Sequence, residues 1–245
     1  MKNQKNKKII VITGASKGLG KELAKKLASP SNVMILCSRD IKELNKFCLE
    51  LKDKGSECYP SEVDISKKAD IIKYLRTILK KFSKIDILIN NAGAIHKKNP
   101  IEKLSGKELN LCMKTNFESV FYTLHEIIPG MKKRGNGIIV TISSTAGKRG
   151  NPDFAVYSAS KFAVTGLMQS VSRYLDGSGI RCLTILPAGM NTTMRKYILG
   201  AKDAKKQQSP ELVAEIIKNA IKDQVAFPNG SEIIIHEGKI VPKLA

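Results

Sequence analysis

The chain has 245 residues, 42% of them hydrophobic and only 5% aromatic, with no Trp, so its core must be mostly aliphatic and a single α/β domain is the economical reading. Its 42 Lys and Arg against 22 Asp and Glu give a formal net charge of +20, read as a Lys-rich solvated surface. Nucleic-acid binding is kept only as a lesser alternative, because Arg, the better reader of phosphates and bases, is scarce. No apolar run approaches the ~18 residues of a spanning helix. The five Cys are scattered with no C-x-x-C pair, so neither a disulfide framework nor a metal site is expected, and a reducing, cytoplasmic setting is.

Residues 1–7 read as a basic tail rather than a leader, because the apolar stretch that follows is short and is broken by Gly14. Residues 8–13 (KIIVIT) form a β-branched strand, Gly14–Gly20 a Gly-rich turn, and 19–28 a helix through Leu19, Leu23, Ala24 and Leu27. A second strand at 33–37, a helix at 40–54, a third strand ending near Val63 and a helix at 66–82 capped by Ser66 follow. Strands at 85–89, 138–142, 181–186 and 232–236 alternate with helices at about 105–133, 154–175 and 209–222, with Pro129 expected to bend or end the first of these. The strands are continuous apolar runs, which requires helices on both sheet faces: a doubly wound parallel sheet of Rossmann type.

The first constellation is Thr13–Gly20, placed between strand and helix. Gly14, Ser16, Lys17, Gly18, Leu19 and Gly20 can bring backbone N–H groups and a helix N-terminus against a pyrophosphate. At the end of the second strand, where NAD-binding sheets commonly place a carboxylate for the ribose, the chain has Ser38 and Arg39. Arg39, with Lys17, can pair a 2′-phosphate, so NADP(H) is expected over NAD(H). The alternative is two solvated surface cations. Asp40 is a possible ribose acceptor but lies two residues past the expected place.

The second constellation is Tyr157-Ser158-Ala159-Ser160-Lys161. Positions i and i+4 share a helix face, so Tyr157 and Lys161 reach one site, where an ammonium should lower the phenol from its ordinary ~10. The pair alone is equally a chance surface pattern. Ser143 and Ser144 after the fifth strand, and Asn90–Gly93 after the fourth, fall at the same C-terminal sheet edge.

With these pieces in this order, and with Asp64-Ile65, Asn116 and Pro187 to Thr192, nearly the whole chain resembles the short-chain dehydrogenase/reductase family in its form of about 250 residues. The resemblance implies that Tyr157 is the general acid or base, that Ser144 polarises the substrate carbonyl, and that Lys161 holds the nicotinamide ribose and lowers the Tyr157 pKa. It implies that Asn116 helps hold a water leading from Lys161 to solvent. It further implies that Asp64 and Ile65 bind adenine, that Asn91, Ala92 and Gly93 line the adenosine ribose, and that Pro187 and Thr192 meet the nicotinamide end. The expected partner is a small carbonyl or alcohol, and the expected assembly a homodimer or homotetramer.

Two features depart from the family pattern. Pro187-Ala188-Gly189 stands where Pro-Gly is common, and the C-terminal 233–245 lacks the usual Asp-Gly-Gly-like turn, which puts a tetramer through that end in doubt and leaves a dimer through helices 105–133 and 154–175. Residues 189–208 are the expected substrate-binding segment. Met190, Met194, Tyr197, Ile198 and Leu199 there read equally as a pocket wall or as a lid helix packed on the core. His96 is a candidate substrate contact or a plain surface residue. A catalytically silent NADP-binding sensor is the other functional class kept.

Overall fold

The structure is a computed structural model, and it describes residues 7–242. All but the last residue of the basic 1–7 tail lie outside the described residues. Lys7 pairs with Glu57 at 2.8 Å.

The chain runs β1 (Lys8–Thr13), α1 (Gly18–Leu27), β2 (Asn32–Ser38), α2 (Ile41–Asp53), β3 (Glu57–Glu62), α3 (Lys68–Phe82) and β4 (Ile87–Asn90). It continues with α4 (Gly106–Met113), α5 (Ser119–Arg134), β5 (Gly137–Ile142), α6 (Ala155–Tyr174), β6 (Ile180–Pro187), α7 (Thr193–Leu199), α8 (Ala201–Lys205), α9 (Pro210–Lys222), β7 (Ser231–His236) and β8 (Lys239–Val241). The sheet order is β3-β2-β1-β4-β5-β6-β7-β8. Every pairing is parallel except β7 with β8. The expected doubly wound sheet is therefore the observed one, with a short hairpin added at its end.

Alternation along β1 divides the core in two. Ile10 and Ile12 pack with Leu23, Phe47 and Ile217 of α1, α2 and α9. Ile9 and Val11 pack with Leu75, Leu124 and Val164 of α3, α5 and α6. Pro60 sits in β3, which is an edge strand and can lack a donor. The order reverses at β1, between β2 and β4, which opens a crevice at the strands' C-terminal ends.

Three expectations need correction. The helix expected over 105–133 is two helices joined by a π turn at Lys114–Glu118. The wide turn coincides with Asn116, whose side chain bonds the Ala94 backbone rather than solvent. Pro129 lies inside α5 without ending it. Ser66 does not cap α3. Lys67 holds that position without a side-chain bond, because the Ser66 hydroxyl is committed to Asp64 Oδ1 at 2.7 Å. The third correction concerns cysteine: Cys48 of α2 and Cys58 of β3 form a disulfide, their Cα atoms 5.4 Å apart. Nothing in the spacing signals it, since the pairing depends on α2 folding back along β3. Among the described residues no helix is long and apolar enough to cross a membrane.

Arg181 of β6 is buried and gathers the end of α9. Its guanidinium donates to the carbonyls of Ala220 (3.0 Å), Asp223 (3.1 Å), Phe227 (2.9 Å) and Ile221. These are carbonyls at and beyond the helix C-terminus that have no intrahelical donor. Since α9 shares a core with α1, the cation also steadies the helix behind the Gly-rich turn.

Candidate functional site

Two connected cavities open at the sheet's C-terminal edge, one of about 450 Å³ and one of about 240 Å³. Tyr157 and Thr192 line both.

The larger cavity begins at the turn after β1. Gly14 and Gly18 have φ of +66° and +57°, which glycine adopts without steric cost. A Cβ on Gly14 would lie 2.9 Å from Ala92 Cα, so the backbone is bare where the turn meets β4. α1 then starts at Gly18 with Lys17 as its N-cap and no side chain bonded to its free N–H groups. That leaves donors and the positive end of a helix facing the cavity, a cradle suited to phosphate. Ser16, Lys17, Gly18 and Leu19 line it. Gly20 does not. A Cβ there would fall 2.4 Å from the Gly14 carbonyl oxygen, so Gly20 permits the packing of turn on helix.

The cavity is braced by Thr13, whose Oγ1 accepts from the N–H groups of Asn91 and Ala92, both at 3.0 Å. The Asn91 side chain donates to the carbonyls of Thr13 (2.8 Å) and Gly14 (3.1 Å). Asn91, Ala92 and Gly93 all line the cavity, but the Asn91 amide nitrogen is spent on joining β4 to the turn.

Ser38, Arg39, Asp64 and Ile65 line the far end. The Ser38 hydroxyl donates to the Asp40 carbonyl and accepts from its N–H, both at 3.1 Å. Asp40 caps α2 by accepting from Glu43 N at 3.1 Å and pairs with Lys17 at 2.9 Å across the cavity mouth. The hydrogen bond between them raises Lys17 and lowers Asp40. Arg39 is exposed. Burial works to raise Asp64, but hydrogen bonds from Ser66 and the charges of Arg39 and Lys67 outweigh it and hold the carboxyl below its ordinary value.

At the junction of the cavities α6 presents Tyr157 and Lys161. The Ser144 hydroxyl accepts from Ala146 N at 3.1 Å and stands near enough to Tyr157 to bear on its phenol. Neighbouring Ser143 is buried and tied to the Lys161 carbonyl (3.2 Å) and Thr165 Oγ1 (2.8 Å). Both serines line the smaller cavity, but the Ser143 hydroxyl is spent on bracing β5 against α6, which leaves Ser144 as the one available beside Tyr157. Lys161 is buried, its ammonium donating to the Ile142 carbonyl at 2.9 Å and lying 5.8 Å from the centre of the Tyr157 ring. The expected lowering of Tyr157 by Lys161 is not what the structure shows. Burial pushes the phenol above its ordinary value, partly offset by the Ser144 hydrogen bond and the charge of Arg195, with Cys112 acting upward.

Burial lowers Lys161 to about 8 from 10.5, which has a measurable consequence. Between these values the unfolded chain binds more protons at this group than the folded one, so stability rises with pH. In protein freed of dinucleotide, Lys161→Met should be more stable than the parent at pH 7, and that advantage should shrink by about 2 kcal/mol by pH 10. Paired urea titrations measure it, and an advantage that stays constant with pH would contradict the lowered ammonium.

Asn116, buried in the π turn, accepts from Ala94 N and donates to the Ala94 carbonyl and Ser160 Oγ, each at 2.8 Å. It lines neither cavity and ties the β4 loop to α6 next to Lys161. Pro187 and Ser144 line the smaller cavity, and the larger is lined by Tyr157, Lys161, Thr192 and each cofactor residue expected from the turn, β2, Asp64-Ile65 and Asn91 to Gly93, with Gly20 the exception already described.

The model of the short chain dehydrogenase family matches residues 8–203. The chain belongs to the short-chain dehydrogenase family. It is 31% identical over 226 residues to the NADPH-dependent pterin aldehyde reductase of Arabidopsis thaliana, covering 92% of each chain. It superposes with a TM-score of 0.80 and 27% identity on a metagenomic short-chain oxidoreductase solved with NADP, covering 93% of this chain and 96% of that one. The 3-ketoacyl-(acyl-carrier-protein) reductase of Brucella melitensis, solved with NADH, gives 0.85 and 26%, covering 94% and 97%. This family member is accordingly an NAD(P)-dependent oxidoreductase.

The dehydrogenase carries further lining residues that sequence reasoning passed over. Leu111, Thr115 and Ala94 line the larger cavity, and Arg195 lines the smaller. Within segment 189–208, Met190, Met194, Ile198 and Leu199 line the smaller cavity as one of the two readings had it. Tyr197 does not. It is 73% exposed, with the Lys97 ammonium 5.7 Å from its ring centre. His96 is buried rather than at the surface, its Nδ1 2.7 Å from the Lys97 carbonyl, and it lines neither cavity.

Proposed function

We propose that this short-chain dehydrogenase reduces a small carbonyl compound at the junction of its two cavities, with Tyr157 as the general acid, and that it prefers NADPH. The observation that carries the reading is that Ser144 and Tyr157 line the same cavity at that junction, with the Lys161 ammonium buried beside them. The bare Gly14–Gly18 turn and the uncapped start of α1 fit a pyrophosphate, and the carboxyl of Asp64, held ionised, fits an adenine amino group. When bound, the dinucleotide supplies the hydride.

The remaining chemistry belongs to the protein's own side chains. Ser144 donates a hydrogen bond to the substrate oxygen, and Tyr157 delivers its proton to the same oxygen as negative charge grows there. Both interactions strengthen toward the transition state, which is where they accelerate the reaction. Lys161 keeps a positive charge beside that site, and Asn116 acts as a positioning residue by holding Ala94 and Ser160 around it. Pro187 and Thr192 bound the entry from the smaller cavity, which receives the substrate. Leu109 of α4, Phe121 of α5 and Phe162 of α6 are each nearly half exposed, which supports a homodimer through that face.

Following NADPH absorbance with ketones, aldehydes, quinones and 3-oxoacyl thioesters tests the activity. Inactivity across the whole panel would favour a silent NADP-binding sensor. A steep salt-dependent affinity for DNA or RNA would instead favour the nucleic-acid alternative. Cofactor choice rests on Arg39. Arg39→Asp should lower the NADPH-to-NADH ratio of kcat/KM by about tenfold or more, the worth of one charge-assisted pair. An unchanged ratio would remove Arg39 from the 2′-phosphate site.

A further inference from the structure

The smaller cavity is walled mainly by apolar and small side chains, among them Ile95, Phe154, Met190 and Leu199, and of all its lining residues Arg195 alone is charged. Among the described residues no carboxylate lines this cavity. Asp203 of α8 holds Arg195 from outside the lining, accepting from Nε at 2.5 Å and Nη2 at 3.2 Å. Nη1 takes no part in that pair. It lies over Gly189, where an added Cβ would come within 2.5 Å of it. The guanidinium is thus anchored along one edge by Asp203 and reaches the cavity wall with Nη1 over Gly189, next to the uncharged amide oxygen of Gln207.

A cation in such a wall is a poor complement to a wholly apolar substrate, because its exposed donor would lose water without a replacement. It is a good complement to an anion, which completes a charge-assisted hydrogen bond. The surrounding charge has the same sign. From α7 to just past α8 the chain carries Lys196, Lys202, Lys205 and Lys206, all exposed, against Asp203 alone, and a positive excess of this kind raises the encounter rate with anions.

We propose that Arg195 is a specificity-determining residue that binds an anionic group, a carboxylate in the simplest case, on the carbonyl substrate. This deepens the carbonyl-reductase reading above and rests on it for the identity of the smaller cavity. Arg195 and Tyr157 line the same cavity, which puts the cation and the reacting end within reach of one small substrate.

The test uses the full-length enzyme with straight-chain keto acids of increasing length between carbonyl and carboxylate, each beside its methyl ester. The wild type should favour the acid over the ester in kcat/KM by about tenfold or more at one or more lengths. Arg195→Gln should bring that ratio near one, and Arg195→Lys should keep part of it. Asp203→Asn breaks the same ion pair but keeps the guanidinium, so it should retain the acid preference.

Three kinetic outcomes would overturn the proposal: no acid preference in the wild type at any length, an acid preference that survives Arg195→Gln, or equal loss in Arg195→Gln and Asp203→Asn, which marks Arg195 as a strut of the α7–α8 segment. If neither acids nor esters are turned over, the reductase reading fails separately. Calorimetric titration of the same keto acids then decides, with binding at least tenfold weaker in Arg195→Gln supporting the anion site and equal or undetectable binding in both proteins refuting it.

Discussion

Tyr157→Phe is expected to keep dinucleotide binding and lose turnover by about a hundredfold to ten-thousandfold, the range spanned by a positioned general acid. The substitution removes one oxygen. Phe fills nearly the same volume on α6, so the phenolic proton donor is lost while the larger cavity keeps its walls. Because the lost proton transfer occurs at the transition state, kcat should fall with kcat/KM rather than KM rising alone. Fluorescence titration with NADPH beside steady-state assay separates binding from turnover. Turnover near the wild-type rate would sink the acid assignment, and lost dinucleotide affinity would show that Tyr157 chiefly holds the cofactor. A double variant with Ser144→Ala should cost less than the sum of the two single losses, because both act on one oxygen.

Arg181→Met carries the largest expected loss of stability, about 3–5 kcal/mol. Met can occupy much of the volume but donates nothing, so the carbonyls of Ala220, Ile221, Asp223 and Phe227 lose the guanidinium that joins them. Ala220 and Ile221 are buried, and acceptors stranded there cost about 1–3 kcal/mol each, whereas Asp223 is exposed and its carbonyl keeps the Phe227 N–H at 3.2 Å. For a chain of this size the melting temperature should drop by roughly 10 °C. Arg181→Lys should recover only part of the loss, since one ammonium cannot span a fan of acceptors that a planar fork reaches. Urea unfolding measures both variants, and a loss under about 1 kcal/mol for Arg181→Met would show that water replaces the guanidinium.

The architecture was legible because its signals are local. Continuous β-branched runs such as KIIVIT can be covered only from both sides, and a Gly-rich turn between such a run and a helix has few other uses. Tyr157 and Lys161 were legible as neighbours because helical periodicity places i and i+4 together. What escaped depends on tertiary proximity. Asn91 lines the larger cavity as expected, but its second task, tying β4 to the turn through the Thr13 carbonyl, shows only once β4 lies beside β1. Arg195 looks like one more cation in a Lys-rich segment until α7 folds over Gly189. The Cys48–Cys58 bond needs α2 laid along β3, and the π turn at 114–118 differs from α-helix by a spacing that no residue type announces. Ser66 and Pro129 failed as boundary markers for a simpler reason. A stronger local partner, Asp64, claimed the first, and the helix tolerated the second.

The Lys17–Asp40 pair bears on how this enzyme's cofactor habit can change over evolutionary time. Asp40 is held ionised by the cation it faces and by its place at the start of α2, so throughout the physiological pH range Lys17 already has a partner. A 2′-phosphate arriving there must compete for that lysine and meets a carboxylate beside it. The selecting role proposed for Arg39 is then carried almost alone by one exposed side chain, with an acid already stationed next to it. With that role as proposed, Arg39→Asp alone would shift the enzyme toward NADH, and the fold beneath would not register the change.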